Sequence, residues 1–172
     1  MSLKRAAGLL GMIAACLLAV APAFADLSAP PAGPVLLTVD GAIAVHNAGS
    51  TLELDFDQLA SLPQHEFATS TIWTVGRHRY QGVLLRDLIA AVGATGGTMT
   101  ISALNDYRIE LPVAEVAADG PLLAYLKDGR PMTVRERGPL WLLYPFDDNV
   151  AYRSELAYSR SIWQAVHIHF SD

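Results

Sequence analysis

Trp73, Trp141 and Trp163 are the tryptophans of the chain, and each stands in polar company, within TSTIWT, RGPLWLLYP and SRSIWQ. A tryptophan so placed is either a core anchor whose N–H needs one partner or a flat platform on which another ring stacks. Trp141, between leucines, suits the core, whereas Trp73 and Trp163 suit stacking. Asn105, Asp106 and Tyr107 then offer an amide, a carboxylate and a phenol at consecutive positions. Asn and Asp favour turns for backbone reasons of their own. The same pair also suits the polar edge of a heterocycle, where a carboxylate accepts two parallel hydrogen bonds. Arg130, Arg135, Arg137, Arg153 and Arg160 gather in the last third of the chain. Arginines of this kind usually form a solvated face with weak surface ion pairs. Arg135, ahead of Gly138-Pro139, and Arg160, inside YSRSIWQ, lie nearest the apolar stretches and suit an anionic or carbonyl group. Tyr144 and Asp147 flank Pro145 and Phe146 and add a phenol and an acceptor. Together these residue types point to recognition of a flat, polar, partly anionic molecule.

Other chemistries lack their parts. His167 and His169 alternate along one strand and can share a metal, but no third ligand accompanies them, so no metal is expected. The only cysteine is Cys16, which leaves the rest of the chain without a thiol nucleophile or thiolate ligand. No serine sits in a nucleophile elbow and no Gly-rich phosphate loop is present. No catalytic residue is assigned.

The elements that must position these side chains begin after an export signal. Lys4 and Arg5, the uncharged apolar stretch from Ala6 to Val20, and Ala23-Phe24-Ala25 form a signal-peptide pattern over residues 1–25, with cleavage near Ala25. The stretch is shorter than the roughly 20 residues of a spanning helix, so direct membrane insertion is not expected. Removing residues 1–25 from the 172-residue chain leaves 147, with 10 basic and 17 acidic residues and a net charge near −7. That surface repels nucleic acid, and the length fits one domain. Residues 26–34, rich in Pro and Ala, read as a flexible leader. Val35–Val39 and Ala42–His46 read as a hairpin about Asp40-Gly41, and Thr51–Leu54 as a strand. Asp55 caps a short helix, and Phe67–Val75 alternates like a strand. The stretch from Gly82 to Gly93 has a helical apolar stripe with glycine at its end. Further strands are expected over 98–104, 107–111, 122–126, 140–144 and 162–170, with a helical turn near 112–119. Many short strands with a few helices indicate an α+β domain over residues 35–172.

The segments YQGVLLRDLIAAVGA, ALNDYRIELP, LLAYLKDGRPM, RGPLWLLYP and SIWQAVHI, in that order, resemble the sulfite-oxidase-type molybdopterin-binding domain from about Phe67 onward. The resemblance implies a single mixed α/β domain with a cofactor crevice. Enzymes of that family bind molybdenum through a cysteine ahead of the Gly-Val-x-Leu segment, a place that falls here at Ser70 or Thr71. A hydroxyl replaces a soft thiolate poorly. STIWT, ALNDY, RERGPLWLLYPFD and SRSIWQ are similar to a cysteine-less exported subgroup. Its members bind simple pterins and report them to membrane sensors that control cyclic-di-GMP turnover. The similarity implies a periplasmic pterin-binding protein whose partner is the periplasmic domain of an inner-membrane sensor. Trp73, Asn105, Asp106, Tyr107, Arg135, Trp141, Tyr144, Asp147, Arg160 and Trp163 would hold the ligand. Two other readings stand beside it. One is a molybdopterin-dependent oxidoreductase whose metal is held without a cysteine, and the other is a pseudo-enzyme that binds a partner protein and no small molecule.

Overall fold

The computed structural model describes residues 26–172, so the expected signal peptide lies outside the described residues. Two five-stranded sheets form the domain, with helices packed against them, in the α+β arrangement expected. The first sheet contains β1 (Leu37–Gly41), β2 (Leu52–Leu54), β5 (Thr98–Ala103), β6 (Arg108–Pro112) and β10 (Ala165–Ser171). Its order is β2-β1-β10-β5-β6, with β1 and β10 parallel and the other pairs antiparallel. The second contains β3 (Gln64–Ser70), β4 (Arg77–Leu84), β7 (Leu122–Lys127), β8 (Arg130–Pro131) and β9 (Trp141–Leu143). It runs β3-β4-β7-β8, with β9 also paired to β7. The helices are α1 (Phe56–Ser61), α2 (Leu85–Val92) and α3 (Glu155–Arg160).

Alternation along the second sheet divides the interior into two cores. Leu123, Tyr125, Leu140 and Leu142 join a large aliphatic core with α2 and the first sheet. Their neighbours Leu122, Ala124, Trp141 and Leu143 join a smaller core with Tyr80, Tyr144, Phe146 and Ala157. A strand buried on both faces has to read as a continuous apolar run, and the stretch from Leu140 to Tyr144 does. Each such aliphatic side chain stabilises the fold by about 1.5–3 kcal/mol.

Local chemistry fixes several boundaries. Asp55 accepts from the Gln58 N–H at 2.9 Å while Gln58 Oε1 accepts from the Asp55 N–H at 3.2 Å, a complete capping box for α1. Gly93 ends α2 in the left-handed region (φ 63°), where a side chain would be strained.

Elsewhere the structure departs from the sequence reading. Ala42–His46 is not a strand: the backbone N–H groups of Ala42, Ala44 and Val45 donate to Phe170 and Val92, on β10 and α2. The left-handed Gly41 directs the chain there, and a Cβ on it would run into the Phe170 carbonyl. Gly82, Val83 and Leu84 belong to β4 and not to α2, because they pair with Ala124, Leu123 and Leu122. β3 stops at Ser70, and Thr71 to Gly76 form a loop. β10 starts at Ala165, three residues after the expected Ile162. α3, capped by Ser154, was not expected. Residues 26–34, read as a flexible leader, lie against the domain. Leu27 is buried in the aliphatic core, Ala29 O accepts from Asn47 and Gln58, and Asp55 accepts from the Gly33 N–H at 2.7 Å.

Candidate functional site

A cleft of about 300 Å³ opens where three segments meet, lined by Trp73, Asn105, Tyr107, Tyr158, Ser159, Ser161, Ile162 and Trp163. Trp73 comes from the β3–β4 loop, Asn105 and Tyr107 from the β5–β6 turn, and the rest from α3 and the segment after it. The loop is held in shape at several points. Thr71 Oγ1 accepts from the Trp73 N–H and pairs with Thr74 Oγ1 at 2.8 Å. His78 bridges Asp128, at 2.7 Å, and the Val75 carbonyl, at 2.9 Å. The segment after α3 is tied to the second sheet through Leu142 N–H to Ile162 O, and to the aliphatic core through Ala165 N–H to Leu140 O.

Trp73 is the centre of an aromatic cluster. Its ring meets Trp141, Tyr158 and Trp163 edge-on with centroids 5.8–5.9 Å apart, and Phe146 at 6.3 Å. Trp73, Tyr158 and Trp163 are only partly buried. Packing thus fixes their orientation and leaves surface for a ligand. The cleft offers flat apolar walls and, at its rim, the Asn105 amide and the Tyr107 phenol.

Of the residues singled out in the sequence, Trp73, Asn105, Tyr107 and Trp163 are brought together here. The others stand elsewhere. Trp141 is wholly buried and its indole N–H donates to the Ser161 carbonyl at 3.2 Å, so it is the floor beneath Trp73 and not a wall. Asp106 takes the left-handed conformation (φ 64°) in an exposed turn, the backbone role open to this pair from the start. Arg135 is exposed in a single helical turn over Val134–Glu136. Tyr144 is buried, and burial raises its phenol to about 12, with Arg160 beside it acting in the opposite direction. Arg160 is paired with Glu115 at 2.7 Å. Asp147 accepts from the Ser70 N–H at 2.7 Å and pairs with Arg153 at 3.2 Å, contacts that hold its carboxyl below the usual carboxylate range. Its role in the structure is to tie β3 to the segment after β9.

Four lining residues were missed, Tyr158, Ser159, Ser161 and Ile162, and so was Arg137, which lies against Trp163 outside the lining. Tyr158 lies on α3, whose only sequence signal is the Ser154 cap. Arg137, two residues beyond Arg135, places its guanidinium 5.3 Å from the ring centre of Trp141 and 5.4 Å from that of Trp163. Its position directly before Gly138-Pro139 was the available clue.

The donor atoms near Trp73 bear on which groups the site can hold. Where the resemblance puts a metal-ligating cysteine, the chain has Ser70, whose N–H is engaged by Asp147, and Thr71, whose hydroxyl is paired with Thr74. These are hard oxygen donors and do not fit a metal that takes a thiolate. At the outer face of the first sheet, Asp40 draws both strand histidines to itself, His169 at 2.6 Å and His167 at 3.2 Å. Among the described residues no group of three His, Cys, Asp or Glu side chains is placed to hold a metal ion. No helix among them is long and apolar enough to cross a membrane.

Comparison with known proteins bears on the same question. The family model described as oxidoreductase molybdopterin binding domain matches residues 32–153. No curated protein matches the chain.

Proposed function

Since the chain belongs to the oxidoreductase molybdopterin-binding domain family, we propose that it uses that family's fold to bind a simple pterin without a metal, in the periplasm, and reports it to an inner-membrane signalling receptor. The observation that carries this reading is the pairing of an aromatic cleft with oxygen-only donors. Trp73, Trp163 and Tyr158 retain the walls for a bicyclic ring, while Ser70 and Thr71 stand where a thiolate would be needed. Ring stacking on an aromatic side chain contributes about 1–3 kcal/mol, by analogy with nucleobases. Asn105 at the rim supplies an amide whose donor and acceptor match a pterin's edge. The apolar stretch at Ala6–Val20 with Ala23-Phe24-Ala25 supports export, and a receptor that controls cyclic-di-GMP turnover fits the cysteine-less exported subgroup resembled.

Native mass spectrometry of protein purified gently from a periplasm tests the reading. A bound mass equal to a simple pterin, free of molybdenum, is the expected result. A molybdenum-pyranopterin mass would replace it with a redox enzyme whose metal has an unusual ligand. Calorimetric titration of ligand-stripped protein with pterin should give saturable binding at one site.

A further inference from the structure

Arg137 is placed where an arginine needs a reason. It adopts the left-handed backbone region (φ 76°), which a side-chain-bearing residue seldom occupies. Its guanidinium lies against the rings of both Trp141 and Trp163, and its Nε is buried with no hydrogen-bond partner among the described residues. Three other arginines are committed: Arg160 to Glu115 at 2.7 Å, and Arg153 and Arg77 to Asp147 at 3.2 and 3.5 Å. Arg137 enters no ion pair among the described residues.

A second group shows the same lack. Tyr80 has no exposed surface, its hydroxyl makes no well-formed hydrogen bond among the described residues although Thr74 lies beside it, and its ring meets Trp141 edge-on at 5.7 Å. Two orphaned donors therefore flank one indole. Buried polar groups without partners are few in native proteins and call for an explanation. Trp163 connects Arg137 to the cleft, since it lines the cleft and also lies under the Arg137 guanidinium. Arg137 is not part of the cleft lining, so a ligand reaches its charge through a substituent that extends past Trp163.

We propose that the cleft selects a pterin bearing an acidic substituent, a carboxylate or a phosphate, and that Arg137 receives it. This rests on the pterin reading and adds the ligand's charge to it. A guanidinium offers a planar fork of donors that matches a carboxylate or phosphate. The surrounding protein is acidic, so an anionic ligand depends on a local cation of this kind.

The test is calorimetric titration of the wild-type protein, Arg137→Gln and Arg137→Lys with pterin and with 6-carboxypterin, at low and raised salt. The carboxylated compound should bind wild type at least tenfold more tightly, and salt should reduce that advantage. Arg137→Gln should abolish the advantage while pterin itself binds within threefold of wild type, and Arg137→Lys should keep part of it. Equal affinity of wild type for the two compounds, or an advantage that survives in Arg137→Gln, overturns the assignment and leaves the pterin reading intact. Failure of both compounds to bind wild type removes the pterin reading, and this inference with it.

Discussion

At the scale of single residues, burial separates the tryptophans that line the cleft from the one that supports it. Trp73 and Trp163 are partly buried and line the cleft, whereas Trp141 is enclosed with its N–H already satisfied. Trp73→Ala should therefore weaken pterin binding more than tenfold in a protein that still unfolds cooperatively. Equilibrium dialysis with a melting curve checks both, and unchanged affinity with the fold intact would take Trp73 out of the site. The neighbours in the β5–β6 turn should differ in the same assay. Asn105→Ala should lose affinity severalfold because its amide lines the cleft, while Asp106→Gly should leave affinity unchanged, since glycine accepts the left-handed backbone that Asp106 occupies. The tryptophans were legible in the sequence because an indole in polar company already suggests a half-buried ring. Arg137 was legible only through its place before Gly138-Pro139. Its contacts with Trp141 and Trp163 depend on how distant segments fold together, and residue type alone does not distinguish it from Arg135.

At the scale of elements, α1 and the segment before it share one carboxylate. Asp55 caps the helix through the Gln58 N–H and receives the Gly33 N–H as well, and these contacts hold its carboxyl below the usual range despite burial. Asp55→Ala should cost about 1–2 kcal/mol in urea unfolding, the usual loss for a helix cap. It should also speed amide exchange in residues 26–34. The sign of the pH effect follows from the lowered native value. The carboxylate's contribution is fully present above the unfolded value of about 4 and is lost as pH falls through the native one. Asp55→Asn should accordingly differ from wild type at pH 7 and converge with it towards pH 2. The start of α1 was readable from Asp55 as its cap, and the end of α2 from Gly93. The β4–α2 boundary was not, because Gly82, Val83 and Leu84 satisfy an apolar helix stripe and a doubly buried strand equally well. Ala42–His46 was misread for another reason: its hydrogen-bond partners, Val92 and Phe170, are remote in sequence.

At the scale of the whole molecule, the two cores meet at β7 and β9, whose residues face alternately into each. Damage there is felt on both sides, so Trp141→Ala should cost about 3–5 kcal/mol, the usual range for a buried large-to-small change. Its loss of ligand binding in a chemical-denaturation series should follow the loss of fold, unlike that of Trp73→Ala. Family membership and the α+β class were readable from ordered motifs, because those motifs are the turns and doubly buried strands that the architecture requires. Trp73 touches both of the other indoles at 5.8 Å, so every tryptophan in the chain belongs to one contiguous group at the cleft. Excitation of any of them reports on the same few ångströms of space. A pterin absorbs in the range where indole emits, so its arrival there should drain that emission by energy transfer. The unlabelled protein would then be its own optical gauge of occupancy.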